Sequence, residues 1–138
     1  MTIEYLDLAD YIAIAEEITG LAEAIVIKVA NLGLADSALH APAAGFGDSD
    51  FYPDFVDKAA VLIVRLAKNH PMPDGNKRVA WVSLRYFLML NGWEWIDRPS
   101  IDEVEAAVLA IASGEWDEVA TADWLGPRIE RKERVSDR

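Results

Sequence analysis

Residues 68–81 read KNHPMPDGNKRVAW and bring several chemically active side chains together in one short stretch. They include an imidazole (His70), a carboxylate (Asp74) and two adjacent cations (Lys77 and Arg78). An imidazole can act as a general base, a carboxylate is a hard ligand suited to Mg²⁺, and cations bind phosphate. These groups together are what phosphoryl or nucleotidyl transfer requires.

The backbone of the same stretch also favours an anion. Gly75 and Asn76 both tolerate positive φ, and an apolar helical pattern begins near Asn76 or Lys77. Successive N–H groups there would form a nest at the positive end of the helix dipole, where phosphate binds. Lys77 and Arg78 at this end oppose the dipole by about 0.3–1 kcal/mol each. A bound anion would explain their position.

Each feature taken alone has a purely structural explanation. Asp-Gly-Asn is a common turn sequence, and a histidine can hydrogen-bond the last carbonyls of a helix. Cations beside a surface turn are usually solvated. Their occurrence together in one loop favours a functional site. His40, the other histidine, has no comparable neighbours and is expected to be an ordinary loop residue.

The overall composition limits the classes of function. A net charge of −11 argues against a broad basic surface for nucleic acid. Even so, five of the eight Lys and Arg residues that precede position 128 lie between Arg65 and Arg85, which suggests a small anionic ligand. The absence of cysteine excludes disulfides and thiolate metal sites. Without a membrane-length apolar run or a signal-peptide pattern, the chain is expected to be cytoplasmic.

The elements that position this stretch are predicted to be helices. A chain of 138 residues with 52% hydrophobic content predicts one domain, and helical periodicity predicts an all-α bundle of about six helices around a central motif-bearing helix. The predicted helices span about 3–19, 21–32 (buried), 34–40 (short), 55–69, 76–90, 100–112 (opened by a capping box, Ser100-x-x-Glu103) and 116–125, with WEWI at 93–96 as a short edge strand.

Two segments fall outside this helical pattern. The loop 41–53 carries Phe46, Phe51 and Tyr52, and is interpreted either as a flap that docks a substrate or as a loop held down by its own aromatic side chains. The domain is expected to span residues 1–127. From Arg128 the tail 128–138 is highly charged and is expected to be flexible or to depend on a partner for order.

At the residues of this stretch the sequence resembles the Fic/Doc superfamily, and within it the Doc (death on curing) toxins. The Fic signature His-Pro-Phe-x-(Asp/Glu)-Gly-Asn-Gly-Arg-x-x-Arg stands here as HPMPDGNKRVAW. Lys77 takes the place of the third glycine and Trp81 that of the second arginine, which is the Doc form of the motif. Segments such as GLADSALHAP, FLMLNGWEW and ASGEWDEVATADWL are also similar to Doc, so the resemblance covers roughly residues 3–125. Met72 replaces the phenylalanine of the motif and should anchor the loop in the core less rigidly.

The resemblance implies an all-helical Fic-type bundle and a toxin of a bacterial toxin–antitoxin pair. Doc toxins are protein kinases that use ATP and Mg²⁺ to phosphorylate a threonine of translation elongation factor Tu. A Phd-type antitoxin neutralises them and supplies the DNA binding of the pair. The resemblance assigns the general base to His70, the Mg²⁺ ligand to Asp74, the anion nest to Gly75 and Asn76, the phosphate clamps to Lys77 and Arg78, and a further phosphate contact to Lys68.

The two departures from the Fic signature favour one reaction. A lysine at 77 fills with charge the space that a glycine would leave for the inner phosphates. The absence of an arginine at 81 removes a clamp for the outer phosphates. Both changes favour presenting the γ-phosphate, rather than the α-phosphate, to the base. AMP transfer to a protein hydroxyl and a catalytically silent binding module remain the alternatives.

Overall fold

The computed structural model of the chain describes residues 2–132. This part contains seven α-helices and two small antiparallel pairs of strands, which confirms the prediction of an all-α bundle of about six helices. The helices are α1 (Leu8–Thr19), α2 (Glu23–Val29), α3 (Leu32–His40), α4 (Phe55–Asn69), α5 (Asn76–Leu90), α6 (Ile101–Ala112) and α7 (Glu118–Leu125), and the strands are β1 (Gly45–Phe46), β2 (Ser49–Asp50), β3 (Trp93–Trp95) and β4 (Ile129–Arg131).

The helices α4 and α5, on either side of residues 70–75, form the centre of the bundle. α4 packs against α3, α5, α6 and α7, and α5 packs against α1, α4, α6 and β3. Because α4 is surrounded on most sides, ten of its residues are buried, among them Leu62, Ile63 and Leu66. α5 contributes Leu84 and Phe87 to the same core. The loop between these helices therefore starts and ends on rigid elements.

Caps explain where several helices begin and end. The predicted capping box at Ser100 is present: the N–H of Glu103 donates to Oγ of Ser100 (3.1 Å), and the N–H of Ser100 donates to Oε1 of Glu103 (3.0 Å). Two hydrogen bonds lower the pKa of the Glu103 carboxyl. The larger effect comes from the backbone N–H of Ser100 and the smaller one from the side chain of Arg128. α1 ends at Gly20, which adopts φ 75°, as its sequence predicts.

The prediction of a buried helix over residues 21–32 is wrong. α2 ends at Val29, and Val26 is its only buried residue, whereas Ile25 and Ile27 are more than 40% exposed. The chain turns out of the helix because Ala30 is extended, and the N–H of Asn31 donates to the carbonyl oxygen of Pro71 (2.7 Å). α2 therefore lies against the bundle through Val26 alone and leaves its other apolar side chains at the surface.

The segment predicted to be flexible or dependent on a partner begins at Arg128, and as far as Lys132 it packs against the bundle. β4 pairs with β3, placing Ile129, which is buried, opposite Trp95. Arg128 donates to Glu103 (Nη2 to Oε2, 2.7 Å), pairs with Asp97 and lies over the ring of Trp124. These contacts fix a segment whose charge alone suggests disorder. Residues 133–138 lie outside the described range, so the expectation for them stays a prediction.

The loop 41–53 forms a hairpin whose phenyl rings point away from the core. β1 and β2 pair Gly45 with Asp50 and Phe46 with Ser49. Phe46 is 84% and Phe51 62% exposed, so these two rings do not hold the loop down. Tyr52 does, since its hydroxyl donates to Oε2 of Glu118 (3.4 Å). The hairpin is therefore attached to the bundle and presents two aromatic rings to the outside.

Among the described residues, no helix alone has the length and apolarity to span a membrane. The segments Glu23–Val29 and Leu32–Ala43 have the required length and apolarity only when they are taken together, and the chain bends by 92° between them.

Candidate active site

The loop that carries the predicted site starts with a strained backbone. α4 ends at Asn69, and His70 follows with φ 48° and ψ 58°. It is the only non-glycine residue in 2–132 with positive φ. Left-handed geometry costs an L-residue about 1–2 kcal/mol, so neighbouring contacts must hold it. Pro71 and Pro73 prevent the helix from continuing and fix the direction of the chain after His70.

The side chain of Asn76 holds the loop closed. The N–H of Met72 donates to Oδ1 of Asn76 (2.9 Å), and Nδ2 of Asn76 donates to the carbonyl oxygen of Met72 (2.7 Å). Both residues are buried, and Met72 points into the core as expected. The sequence suggested only that the backbone of Asn76 takes part in an anion nest; no periodicity or charge pattern reveals this clamp.

His70 lies at the edge of the clamped loop with its ring exposed. Its Nδ1 lies 3.5 Å from Nδ2 of Asn76, at the limit of hydrogen-bond distance, so this contact does not fix the tautomer. The ring borders a cavity of about 320 Å³. The cavity is lined by His70, Pro73, Asp74, Gly75, Asn76, Lys77 and Arg78. The structure thus brings six of the seven predicted site residues together.

The anion nest differs in detail from the prediction. Gly75 adopts φ 82°, but Asn76 is already helical. The N–H of Gly75 donates to Oδ1 of Asp74 (2.8 Å), so this amide is not free for an anion. Gly75 has no side chain to cap α5, and the first N–H groups of a helix have no acceptor within it. The amides available to an anion are therefore those of the first turn of α5.

Lys77 and Arg78 add positive charge at this helix end. Both are exposed, and neither forms a hydrogen bond or ion pair with another residue in the described part of the chain. No acid occupies the first turn of α5. Asp74 is the one acid that lines the same cavity, so two cations and the helix dipole outweigh a single carboxylate there and favour the binding of an anion.

Lys68, the seventh predicted residue, lies outside the cavity. Its Nζ approaches Gly114, at 3.9 Å from the position that a Cβ on Gly114 would occupy. Lys68 belongs to the last turn of α4, and its side chain extends toward Gly114 rather than toward the loop. The structure does not bring it to the other six residues. His40 is exposed at the end of α3, where its Nδ1 lies 2.9 Å from the carbonyl oxygen of Asp36.

Comparison with known proteins agrees with this geometry. The model of the Fic/DOC family matches residues 5–88, more than half of the chain, and this range includes the whole loop and its cavity. The chain is also 36% identical over 114 residues to Toxin Doc of Mycolicibacterium smegmatis. That alignment covers 83% of this chain and 85% of the relative. The chain therefore belongs to the Fic/DOC family.

Proposed function

We propose that the chain is a Doc-type toxin that transfers the γ-phosphate of ATP to a serine or threonine hydroxyl of a protein. The observation that carries this proposal is the cavity at the start of α5. The imidazole of His70 borders this cavity together with Lys77 and Arg78, two cations without a protein partner in residues 2–132, and the N-terminus of α5. A proton acceptor and a phosphate site sharing one small cavity support transfer of a phosphoryl group to a hydroxyl.

In the proposed reaction, His70 accepts the proton of the attacking hydroxyl. The hydroxyl oxygen forms a bond to the γ-phosphorus as the bond between that phosphorus and the β–γ bridging oxygen breaks, and ADP leaves. Lys77, Arg78 and the first amides of α5 bind the phosphates and stabilise the charge that develops on the transferred group. The clamp by Asn76 keeps the imidazole at the edge of the cavity during this step.

Asp74 is the residue that would hold Mg²⁺. One of its carboxylate oxygens is engaged by Gly75, and the carboxylate lines the cavity. No group of three or more acidic or histidine side chains within residues 2–132 could hold a metal alone. Mg²⁺ commonly binds through one or two carboxylates together with substrate phosphates, so a single carboxylate fits this ion. It would neutralise phosphate charge there.

Two features favour transfer of the γ-phosphate over transfer of AMP. Lys77 fills the position where a glycine would admit the inner phosphates. The indole of Trp81 stacks on Trp95 (5.7 Å between ring centroids) and contacts Trp124 edge-on (6.4 Å), so position 81 belongs to an aromatic cluster and supplies no phosphate clamp. Adenylylation remains the alternative reaction, and a silent binding module the alternative without chemistry.

The proposal extends to the acceptor and partners. The relative from Mycolicibacterium smegmatis is a toxin by its name. By the resemblance to Doc, we propose that elongation factor Tu is the acceptor, that its phosphorylation arrests translation, and that a Phd-type antitoxin neutralises the chain. Because ATP and this factor are cytoplasmic, the reaction takes place in the cytoplasm. The antitoxin, rather than this acidic chain, would contact DNA.

The test is incubation with Mg²⁺ and purified elongation factor Tu, using ATP labelled at either the γ- or the α-phosphate. We expect the γ-label on the factor, and a loss of at least about 10²-fold in the transfer rate for His70→Ala, because a general base contributes that much. His40→Ala is the matched control and should retain the parental rate. Transfer of the α-label would establish adenylylation instead. Undiminished toxicity of His70→Ala, without transfer of either label, would favour a binding module.

A further inference from the structure

The strained backbone at His70 is followed by a peptide group that a distant part of the chain holds. The N–H of Asn31, in the connection between α2 and α3, donates to the carbonyl oxygen of Pro71 at 2.7 Å. This distance is at the short end of the range for an amide donor, and Pro71 is buried. The contact therefore fixes the chain immediately after the residue with left-handed geometry.

The connection that supplies this N–H is itself rigid. Asn31 is the N-cap of α3: its Oδ1 accepts from the N–H of Leu34 (3.0 Å), and its carbonyl oxygen accepts from the N–H of Ala35 (3.1 Å). α3 packs against α4, the helix that leads into the loop. Nδ2 of Asn69 also donates to the carbonyl oxygen of Leu34 (3.1 Å), but at an exposed position where water can replace it. Asn31 thus belongs to a packed unit and can resist movement of Pro71.

Two residues from different elements hold neighbouring peptide groups of the loop. Asn31 binds the carbonyl oxygen of Pro71 from the side of α3, and the side chain of Asn76 binds the N–H and the carbonyl oxygen of Met72 from the side of α5. A residue in a sparsely populated backbone conformation keeps it only when its surroundings enforce it. The backbone of His70, with φ 48°, meets this condition through contacts on the residues that follow it.

We propose that Asn31 is a positioning residue whose backbone N–H keeps the loop in the conformation that places the imidazole of His70 at the cavity. This proposal rests on the proposed function, in which His70 is the general base. Asn31 acts through Pro71 and does not touch the substrate or the reacting atoms. Its side chain has a separate role as the cap of α3, so substitutions can distinguish the contribution of the N–H from that of the cap.

Proline at position 31 removes the N–H and still allows α3 to begin. Asn31 has φ −84° and Ala30 is extended with ψ 145°, values that a proline at 31 accommodates. The ring in Asn31→Pro would occupy the place of the hydrogen bond, so the carbonyl of Pro71 must move away. Asn31→Ala loses the cap but keeps the N–H, so the difference between the two variants reports the N–H. Asp117→Ala removes a cap of the same kind from α7, where Oδ1 accepts from the N–H of Ala120 (2.8 Å), and is the control away from the loop.

The first measurement is amide hydrogen exchange at Met72, whose N–H is protected while the loop is closed. We expect this amide to exchange at least about tenfold faster in Asn31→Pro than in Asn31→Ala, with the core amides of α4 and α5 unchanged. Equal protection of Met72 in the two variants, or an acceleration shared by the core amides, would overturn the proposal. This measurement needs no transfer activity, so it decides whether Asn31 holds the loop even if the proposed reaction fails.

A second variant covers the case in which Asn31→Pro does not fold. An ester in place of the amide that links Ala30 to Asn31, made by semisynthesis, removes the N–H with little change of shape and keeps the cap. We expect the same acceleration at Met72 relative to the parent chain. An ester variant with parental exchange at Met72 would overturn the proposal.

The second measurement is steady-state kinetics of phosphate transfer. We expect kcat of Asn31→Pro to fall at least about tenfold below that of Asn31→Ala, because the imidazole is no longer held within reach of the hydroxyl. The KM for ATP should differ by less than about twofold between them, since Lys77, Arg78 and the helix end stay in place. Asp117→Ala should retain the parental kcat well below its Tm. Equal kcat values for Asn31→Pro and Asn31→Ala, or a rise in the KM for ATP at unchanged kcat, would contradict a role in positioning the base.

Discussion

The clamp formed by Asn76 gives the sharpest prediction about the site. Asn76→Ala removes both hydrogen bonds to the backbone of Met72 and leaves a buried N–H and a buried carbonyl without partners. Each unsatisfied group costs about 1–3 kcal/mol. Because the loop can relax partly toward solvent, we expect a total loss of about 2–4 kcal/mol in the free energy of unfolding.

This loss should appear in both stability and activity. For a chain of this length it corresponds to a fall in Tm of roughly 10 °C, measured by circular dichroism. Well below that temperature, kcat for phosphate transfer should fall on the order of 10²-fold, because the imidazole is no longer held at the cavity. The KM for ATP should change much less, since Lys77, Arg78 and the helix end stay in place.

Asn69→Ala is the matched control for this variant. Asn69 makes a single hydrogen bond, from Nδ2 to the carbonyl oxygen of Leu34 (3.1 Å), at an exposed position. We expect its loss to lower the free energy of unfolding by no more than about 1 kcal/mol. If Asn76→Ala were as stable and as active as Asn69→Ala, the reasoning that the amide clamp positions His70 would be refuted.

Two further predictions concern buried and charged groups away from the loop. Burial raises the pKa of Tyr11 to about 12, and within residues 2–132 its hydroxyl has no hydrogen-bond partner. The unfolded phenol ionises near pH 10 and the folded one only at higher pH, so the stability should decline by about 2 kcal/mol as the pH rises from 10 to 12. Tyr11→Phe should lose this pH dependence, which is measured as the difference between the denaturant midpoints at pH 8 and pH 11. If the midpoint of the variant fell as much as that of the parent, Tyr11 would not be the cause. Arg128→Ala should raise the pKa of Glu103 only part of the way to its ordinary value, because the backbone N–H of Ser100 still donates to the carboxylate. An NMR titration of Glu103 measures this change. A full return to the ordinary value would show that the capping box is not the main cause of the lowered pKa.

The elements that flank the site could be predicted from the sequence because their signals are local. Prolines at 71 and 73 end α4, and the apolar pattern from Val79 defines α5 within one residue of its observed start. The Ser100 capping box and the strand at Trp93 are equally local signals. Six of the seven predicted site residues share one loop, so chain connectivity alone brings them to one cavity.

Long-range contacts account for what the sequence could not reveal. The clamp by Asn76 forms only when the loop closes and places the backbone of Met72 beside the Asn76 side chain. The spacing of residue types in the sequence does not predict this contact. Composition suggested a flexible tail, yet Arg128 is held by Asp97, Glu103 and Trp124, which are distant or on other elements. Lys68 sits two positions before His70, but the helix turns its side chain toward Gly114.

The left-handed backbone at His70 also bears on how relatives of this chain can diverge. A glycine there would relieve the strain of about 1–2 kcal/mol and would remove the imidazole in the same step. Selection for a stable scaffold and selection for a working base therefore oppose each other at this one position. A descendant that no longer needs the chemistry would gain stability from that single replacement. We therefore expect glycine at this position to mark relatives that have lost catalytic activity.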